Sequence, residues 1–293
     1  MLSQSNPQGE STFLSIIKLL RWDKPAGRLI LMIPALWAVF LASEGTPPAP
    51  LVGVIVLGSL ATSAAGCVIN DLWDRDIDPQ VERTHTRPLA SRTLTVGVGI
   101  AIAIAAMGCA GVLALYLNPL SFWLCVAAVP VIICYPLAKR VFPVPQLVLS
   151  IAWGFAVLIS WSAAVGEIET ATWLLWGAVI CWTLGFDTVY AMSDREDDKR
   201  IGINSSAIFF GDRSPEAVGF FFFLTAGFLV ALAIVMELHL GFWLGLVIAV
   251  AFWCWQYTRL RQHETLKPYP QIFRENVAIG FILLTGAIAG TLF

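Results

Sequence analysis

Charge is what this 293-residue chain has least of: only 13% of its side chains are Asp, Glu, Lys or Arg, and three are His. The signs nearly balance, 18 basic against 20 acidic, for a formal net charge of -2. No basic face is left over for a phosphate backbone, which argues against a nucleic-acid partner. The six cysteines, Cys67, Cys109, Cys125, Cys134, Cys181 and Cys254, show no Cys-x-x-Cys or Cys/His spacing. Neither a zinc site nor a disulfide framework is expected, and the cysteines read as small core side chains within apolar runs. The first dozen residues are polar, include Glu10 and lack a basic n-region, so a cleaved signal peptide is not expected. No polar stretch is long enough for a separate globular unit. Residues 1–293 read as one domain, with 1–24 a cytoplasmic or interfacial N-terminal segment.

What the chain has is apolar length. Hydrophobic residues make up 58% of it, and the mean hydropathy is +0.76. A membrane-spanning helix needs about 20 apolar residues. Such runs lie at 28–44, 51–70, 94–116, 120–137, 145–166, 171–190, 217–237, 240–258 and 276–293. The fold class is therefore all-α, a polytopic membrane bundle of about nine transmembrane helices. Pro34 in the first run, and Pro130 and Pro136 in the fourth, are expected to kink or end their helices. Segment 11–22 carries one apolar stripe beside Lys18 and Arg21; it either lies flat on the membrane or forms the first turns of span one.

Lys and Arg concentrate in cytoplasmic loops near the spans. All 18 precede or open span one or fall in alternate connections. The intervening connections, near 45–50, 117–120, 166–172 and 236–241, hold none and carry Glu44, Glu167, Glu169 and Glu237. This split predicts nine spans with the N-terminus cytoplasmic, in a multi-pass protein.

Two acidic clusters, Asn70–Asp78 and Asp194–Asp198, stand at span ends on the predicted cytoplasmic face, about 120 residues apart. A carboxylate at mid-bilayer is disfavoured by roughly 2.5–3.5 kcal/mol, so acids beside spans call for cations or a charged ligand. If span two continues as helix, Asn70, Asp74 and Asp78 recur at i, i+4 and i+8, with Asp71 near that face. Asp194 and Asp198 repeat the spacing, with Asp197 beside them and Asp187 further back. Oxygen-only ligands suit Mg²⁺, which keeps waters and is completed by substrate phosphates. Two facing ladders thus suggest a cleft holding a diphosphate through bridging metals, and the helix–cluster–loop recurrence suggests an internal repeat. Arg75, Arg83, Arg87, Lys139, Arg140 and Lys199 follow the clusters and could complement phosphate oxygens; they equally satisfy positive-inside topology. In the alternative, the clusters are solvated loop charges paired with Arg75, Arg83, Lys199 and Arg200, or the ion site of a cation-coupled transporter, whose acids should lie nearer mid-membrane. His85 is a candidate acid–base group.

The runs Asn70-Asp71-x-x-Asp74-x-x-x-Asp78, Arg83-Thr84-x-x-Arg87-Pro88-Leu89 and Asp187-x-x-Tyr190-Ala191-Met192-x-Asp194-x-x-Asp197-Asp198 resemble the UbiA superfamily of intramembrane prenyltransferases. So do Asp23-Lys24-Pro25, Tyr135-Pro136-x-x-Lys139-Arg140 and Pro145-Gln146. The resemblance implies helices around a central cavity open to the cytoplasmic side, a lateral opening for the isoprenoid tail, and Mg²⁺ as cofactor. It implies metal ligation by Asn70, Asp71, Asp74, Asp78, Asp194, Asp197 and Asp198, with Asp74, Asp78, Asp194 and Asp198 catalytic and Tyr190 and Asp187 among the substrate-binding residues. The Tyr-Ala-Met and Pro-Gln segments look most like members that prenylate 4-hydroxybenzoate with a polyprenyl diphosphate, for ubiquinone or plastoquinone, in a bacterial inner membrane. By the same resemblance Arg140 is expected to take the benzoate carboxylate, with Lys139 and Arg75 as alternatives. Many members read Pro-Ser-Gly where this chain has Ala90-Ser91-Arg92, which leaves the shape of that loop open.

Overall fold

The computed structural model describes residues 11–262 and 269–292. The start of the N-terminal segment and the inner-loop Lys267 lie outside them. A short amphipathic helix α1 (Thr12–Leu19), capped by the Ser11 hydroxyl, precedes the first span, α2 (Ala26–Ala42). There follow α3 (Ala49–Asp74), α4 (Val96–Ala114), α5 (Pro119–Cys134), the single turn α6 (Ala138–Val141), α7 (Pro145–Val165) and α8 (Thr170–Met192). After these come the short α9 (Arg195–Ile201) and α10 (Ser206–Phe210), then α11 (Ser214–Val235), α12 (Leu240–Gln262) and α13 (Tyr269–Leu292). Eight helical stretches are long and apolar enough to cross a membrane, and α2, at 17 residues, is a shorter ninth. All nine expected spans are present, and the described residues contain no strand.

The prolines act less severely than expected in two places. Helix α2 runs through Pro34, and α5 runs through Pro130 to Cys134. Only Pro136 interrupts, in the 3-10 turn Tyr135–Leu137 between α5 and α6. Segment 11–22 resolves into a helix of its own, because Arg21 takes a left-handed backbone (φ 58°) and separates it from α2. Leu19 of α1 packs with Val68, Leu89, Leu94 and Ala103, so the N-terminal segment and the α3–α4 connection share one small core. In that connection Arg92 adopts φ 62° and pairs with Asp76 at 2.9 Å. The cysteines divide: Cys181 is buried, but Cys109, Cys134 and Cys254 are exposed rather than core.

Helix α8 is the central post, with 78% of its apolar stretch buried against at most 44% in the seven other long spans. Around it Trp37, Trp161, Trp182, Phe222 and Trp253 form the main core. In lipid, helices associate through close packing and interhelical hydrogen bonds rather than hydrophobic transfer. Both devices appear here. Asn276 accepts from the indoles of Trp182 (2.9 Å) and Trp253 (3.2 Å), and Trp37 donates to the Gly280 carbonyl (2.9 Å). Helices α12 and α13 meet through glycine: a Cβ on Gly290 would stand 2.5 Å from Phe242 Cβ and 2.8 Å from its backbone nitrogen. Gly290→Val should therefore force the helices apart and destabilise the fold by about 1–3 kcal/mol, read as a lower thermal midpoint in detergent; an unchanged midpoint would show that this crossing is not tightly packed.

Candidate active site

Helices α3 and α8 present matching stripes to one polar chamber of about 290 Å³. From α3 come Cys67, Asn70, Asp71 and Asp74, and from α8 and the turn just after it come Asp187, Tyr190, Ala191 and Asp194. Both sets run i, i+3, i+4, i+7, the spacing of one helix face, and each α8 residue lies 120 positions after its α3 counterpart. Asp78 and Asp198 extend the correspondence and also line the chamber.

The ladder on α3 is not continuous helix, however. Helix α3 ends at Asp74, and the chain turns before Asp78 opens a 3-10 segment, Asp78–Gln80. Pro79 accounts for the break, since a residue preceding proline is disfavoured in helix. Asp78 reaches the chamber through that turn, fixed by Arg87 (2.9 Å) and by the Thr84 hydroxyl donating to its carbonyl (3.0 Å). On the other side α8 ends at Met192, and Asp194 and Asp198 bracket the first turn of α9.

Asp71, Asp74 and Asp78 are nearly inaccessible (1, 2 and 4%), and cations meet each. Arg21 (2.6 Å) and Arg87 (3.1 Å) bind Asp71, and Lys139 binds Asp74 at 2.5 Å. Arg83 forms a fork onto Asp194, donates to the Tyr190 hydroxyl (2.7 Å) and lies over its ring at 4.6 Å. Burial opposes the charge on Arg83, but the Asp194 hydrogen bonds and nearby Tyr190 hold its pKa above the ordinary value. Arg87 is likewise raised, with Asp71 and Asp78 outweighing burial.

Four expected site residues lie outside the chamber. Asp197 ties the two connections together, accepting from the Glu82 backbone (3.0 Å) and pairing with Arg200 (2.7 Å), which also donates to the Gln80 carbonyl (2.6 Å). Arg75 pairs with Asp76, and Lys199 with Glu196, both at 3.2 Å and exposed. Arg140 donates to the Trp73 carbonyl at 2.6 Å, at the end of α3. His85, exposed, sits against the Glu82 carbonyl. Conversely, the sequence did not single out Arg21 as a site residue, nor Thr84, Gln146 or Ser205, all of which line the chamber. Arg21 lies 50 residues from Asp71, and only the left-handed turn at Arg21 brings the two together.

Among the described residues no three carboxylate, His or Cys side chains converge as a preformed metal site. Two buried oxygens, Asp71 Oδ2 and Asp74 Oδ1, nevertheless have no hydrogen-bond partner. Hard, unengaged oxygen donors on one wall suit a divalent cation of the Mg²⁺ type. Below them a second, apolar chamber of about 450 Å³ lies among α2, α3, α4, α5 and α7, and Cys67, Tyr135 and Leu149 line both chambers.

An ionic chamber adjoining a lipid-like one, inside a bundle of apolar helices, suits an amphiphile with an anionic head. Residues 31–277 match the UbiA prenyltransferase family, and the chain belongs to that family. It is 65% identical, over 294 aligned positions covering 100% of both chains, to the 4-hydroxybenzoate solanesyltransferase of Synechocystis sp.. Its fold matches the apo UbiA homologue of Aeropyrum pernix K1 with a TM-score of 0.80 (23% identity, 90% of this chain and 98% of that one). It also matches the UbiA homologue of Archaeoglobus fulgidus bound to GPP and Mg²⁺ with a TM-score of 0.71 (20% identity, 92% and 99%).

Burial pushes the Asp198 carboxyl up to about 6, against an opposing hydrogen bond from Ser205. An acid raised in the folded state makes its ionised form costly, so the penalty is full above the folded value and fades as pH falls toward the unfolded one. In chelator-treated protein, Asp198→Asn should raise the thermal midpoint near neutral pH, with the gain shrinking as pH is lowered through about 6 toward about 4. A gain independent of pH would show that Asp198 does not titrate in this range.

Proposed function

We propose that the chain transfers a polyprenyl group from a polyprenyl diphosphate to the ring carbon meta to the carboxylate of 4-hydroxybenzoate, with Mg²⁺ as the metal. One observation carries this reading: the two chambers meet at Cys67, Tyr135 and Leu149. A molecule spanning them must have an anionic head and a long apolar tail. The 65% identity to a 4-hydroxybenzoate solanesyltransferase supports the acceptor and a long donor.

In this mechanism Arg21, Arg83, Arg87 and Lys139, all lining the polar chamber, bind the diphosphate and spread its charge as the allylic C–O bond lengthens. Asn70, Asp71, Asp74 and Asp78 on one wall, and Asp194 and Asp198 on the other, would hold Mg²⁺, which when bound supplies Lewis-acid stabilisation of the leaving group. Asp197 serves this chemistry indirectly, by clamping the two connections. The tail lies in the apolar chamber, where α4 packs along α3 and touches α5 little; that seam is the lateral opening through which excess isoprene units reach lipid. The apolar walls keep water from the allylic cation, which the electron-rich aromatic ring captures.

The test is mass spectrometry of products from purified protein with Mg²⁺, several prenyl diphosphates and a panel of acceptors: 4-hydroxybenzoate, homogentisate, chlorophyllide, a naphthoate and haem. Prenylated 4-hydroxybenzoate should dominate, and Asp74→Ala and Asp194→Ala should each lower turnover by at least about 10²-fold while the protein stays inserted. A different dominant product, or near-wild-type turnover by either variant, would overturn the assignment.

We further propose that the N-terminus and the polar chamber face the cytoplasm of a bacterial inner membrane, because in the sequence every Lys and Arg precedes or opens the first span or falls in alternate connections. Cysteines introduced at Glu167 and at Asp76, in a background with the exposed native cysteines replaced, should label from opposite sides of sealed vesicles. Labelling from the same side would invalidate the topology.

A further inference from the structure

We infer that Asp187 is the base that removes the ring proton, an assignment that rests on the prenyl-transfer reading above. The reacting allylic carbon joins a head held in the polar chamber to a tail held in the apolar one. It must therefore lie where the chambers meet, at the level of Cys67, Tyr135 and Leu149. On the facing wall Asp187 lies close enough to Tyr135, one of these three residues, to interact with it through space. It is the innermost member of the α8 stripe in the polar chamber. Its neighbours turn elsewhere: Phe186 and Val189 enter the core, and the Thr188 hydroxyl donates to Ser206.

Asp187 also differs from the other carboxylates of the chamber in what surrounds it. Asp71, Asp74, Asp78 and Asp194 are each held by a cation, and Asp198 by Ser205. Among the described residues Asp187 has no hydrogen bond and no ion pair, and it senses Arg83 and Asp194 only through space. A carboxylate already engaged by a guanidinium is a poor proton acceptor. An unengaged one at the edge of an apolar space is a good one. The two other groups that could be considered are less well placed: Tyr190 accepts from Arg83, and His85 lies outside the chamber.

The step balances as follows. The allylic C–O bond breaks and its electron pair leaves with the diphosphate. A ring π pair ortho to the hydroxyl forms the new C–C bond. The C–H bond at that carbon then breaks, its pair restores the aromatic ring, and its proton passes to the Asp187 carboxylate.

The test compares wild type with Asp187→Asn, using 4-hydroxybenzoate and the same acid deuterated at both carbons ortho to the hydroxyl. Asp187→Asn should lower kcat by about 10²-fold or more, leave KM for the prenyl diphosphate within a few-fold, and show a larger primary isotope effect than wild type, because proton removal has become the slow step. Asp187→Glu, which keeps a carboxylate, should recover part of the turnover and bring the isotope effect back toward wild type. A merely structural role would lower activity without changing the isotope effect. That result, near-wild-type kcat for Asp187→Asn, or no recovery with glutamate, would each overturn the inference. If wild type ignores 4-hydroxybenzoate, the acceptor reading fails instead, and the same comparison is made on the deuterated form of whichever aromatic acceptor the panel identifies.

Discussion

Three carboxylates, Asp71, Asp74 and Asp78, are held almost out of water at the end of α3, and a buried charge costs several kcal/mol unless it is paired. The cations that pair them come from elsewhere in the chain. Arg21 arrives from the link between α1 and α2, Arg87 from the α3–α4 connection and Lys139 from α6. Arg83 crosses from the first connection to Asp194 of the second. Segments with no sequence neighbourhood in common are thereby pinned to one end of the bundle, and the polar chamber is the space they enclose. The same pairings account for the left-handed backbone at Arg21: without that turn, the guanidinium could not leave α1 in the direction of Asp71.

The chamber's two walls correspond position by position but differ in chemistry. Cys67, Asn70, Asp71, Asp74 and Asp78 on one side answer Asp187, Tyr190, Ala191, Asp194 and Asp198 on the other, all at an offset of 120 residues. This regularity favours an internal repeat, because two unrelated helices would have no reason to keep five cavity-facing positions in register. The differences then describe a division of labour. The α3 wall concentrates acid near the mouth, with two oxygens still unengaged. The α8 wall replaces two of those polar positions with Tyr190 and Ala191 and moves one carboxylate inward to Asp187. On the proposed function, metal and phosphate chemistry would belong to the mouth, and ring chemistry to the depth.

The fold was legible in the sequence for a simple reason. Apolar length and the placement of Lys and Arg are local properties, so the spans and their alternation follow from counting. The site was legible only in part. Helical spacing correctly put Asn70, Asp71, Asp74, Asp194 and Asp198 around one chamber, but it could not register the break at Pro79, so Asp78 reaches the chamber by a turn rather than by continued helix. Proximity in sequence also misled for the basic residues. Arg75, Arg140 and Lys199 stand beside the clusters and yet serve helix ends and surface pairs. Of the two cations on Asp71, Arg87 stands in a segment the sequence flagged, whereas Arg21 comes from the start of the bundle, and no spacing rule links positions 50 residues apart.

Under the proposed function, burying a diphosphate site in a membrane carries an electrostatic difficulty that this arrangement would resolve. Leaving-group departure creates a tight ion pair, and water would both stabilise and destroy the allylic cation. The cation must be generated beside strong charges and then exposed only to the ring. Placing every cation-paired carboxylate at the mouth, and apolar side chains below Cys67, Tyr135 and Leu149, separates the two requirements by about one to two helical turns, or about 5–11 Å. The charge that assists ionisation stays behind with the diphosphate, while the developing carbon centre lies against walls that offer it no nucleophile except the acceptor. An acid without a cation partner is then needed at this boundary and nowhere else, since at the mouth it would be neutralised and deeper in the apolar chamber its charge would be unaffordable.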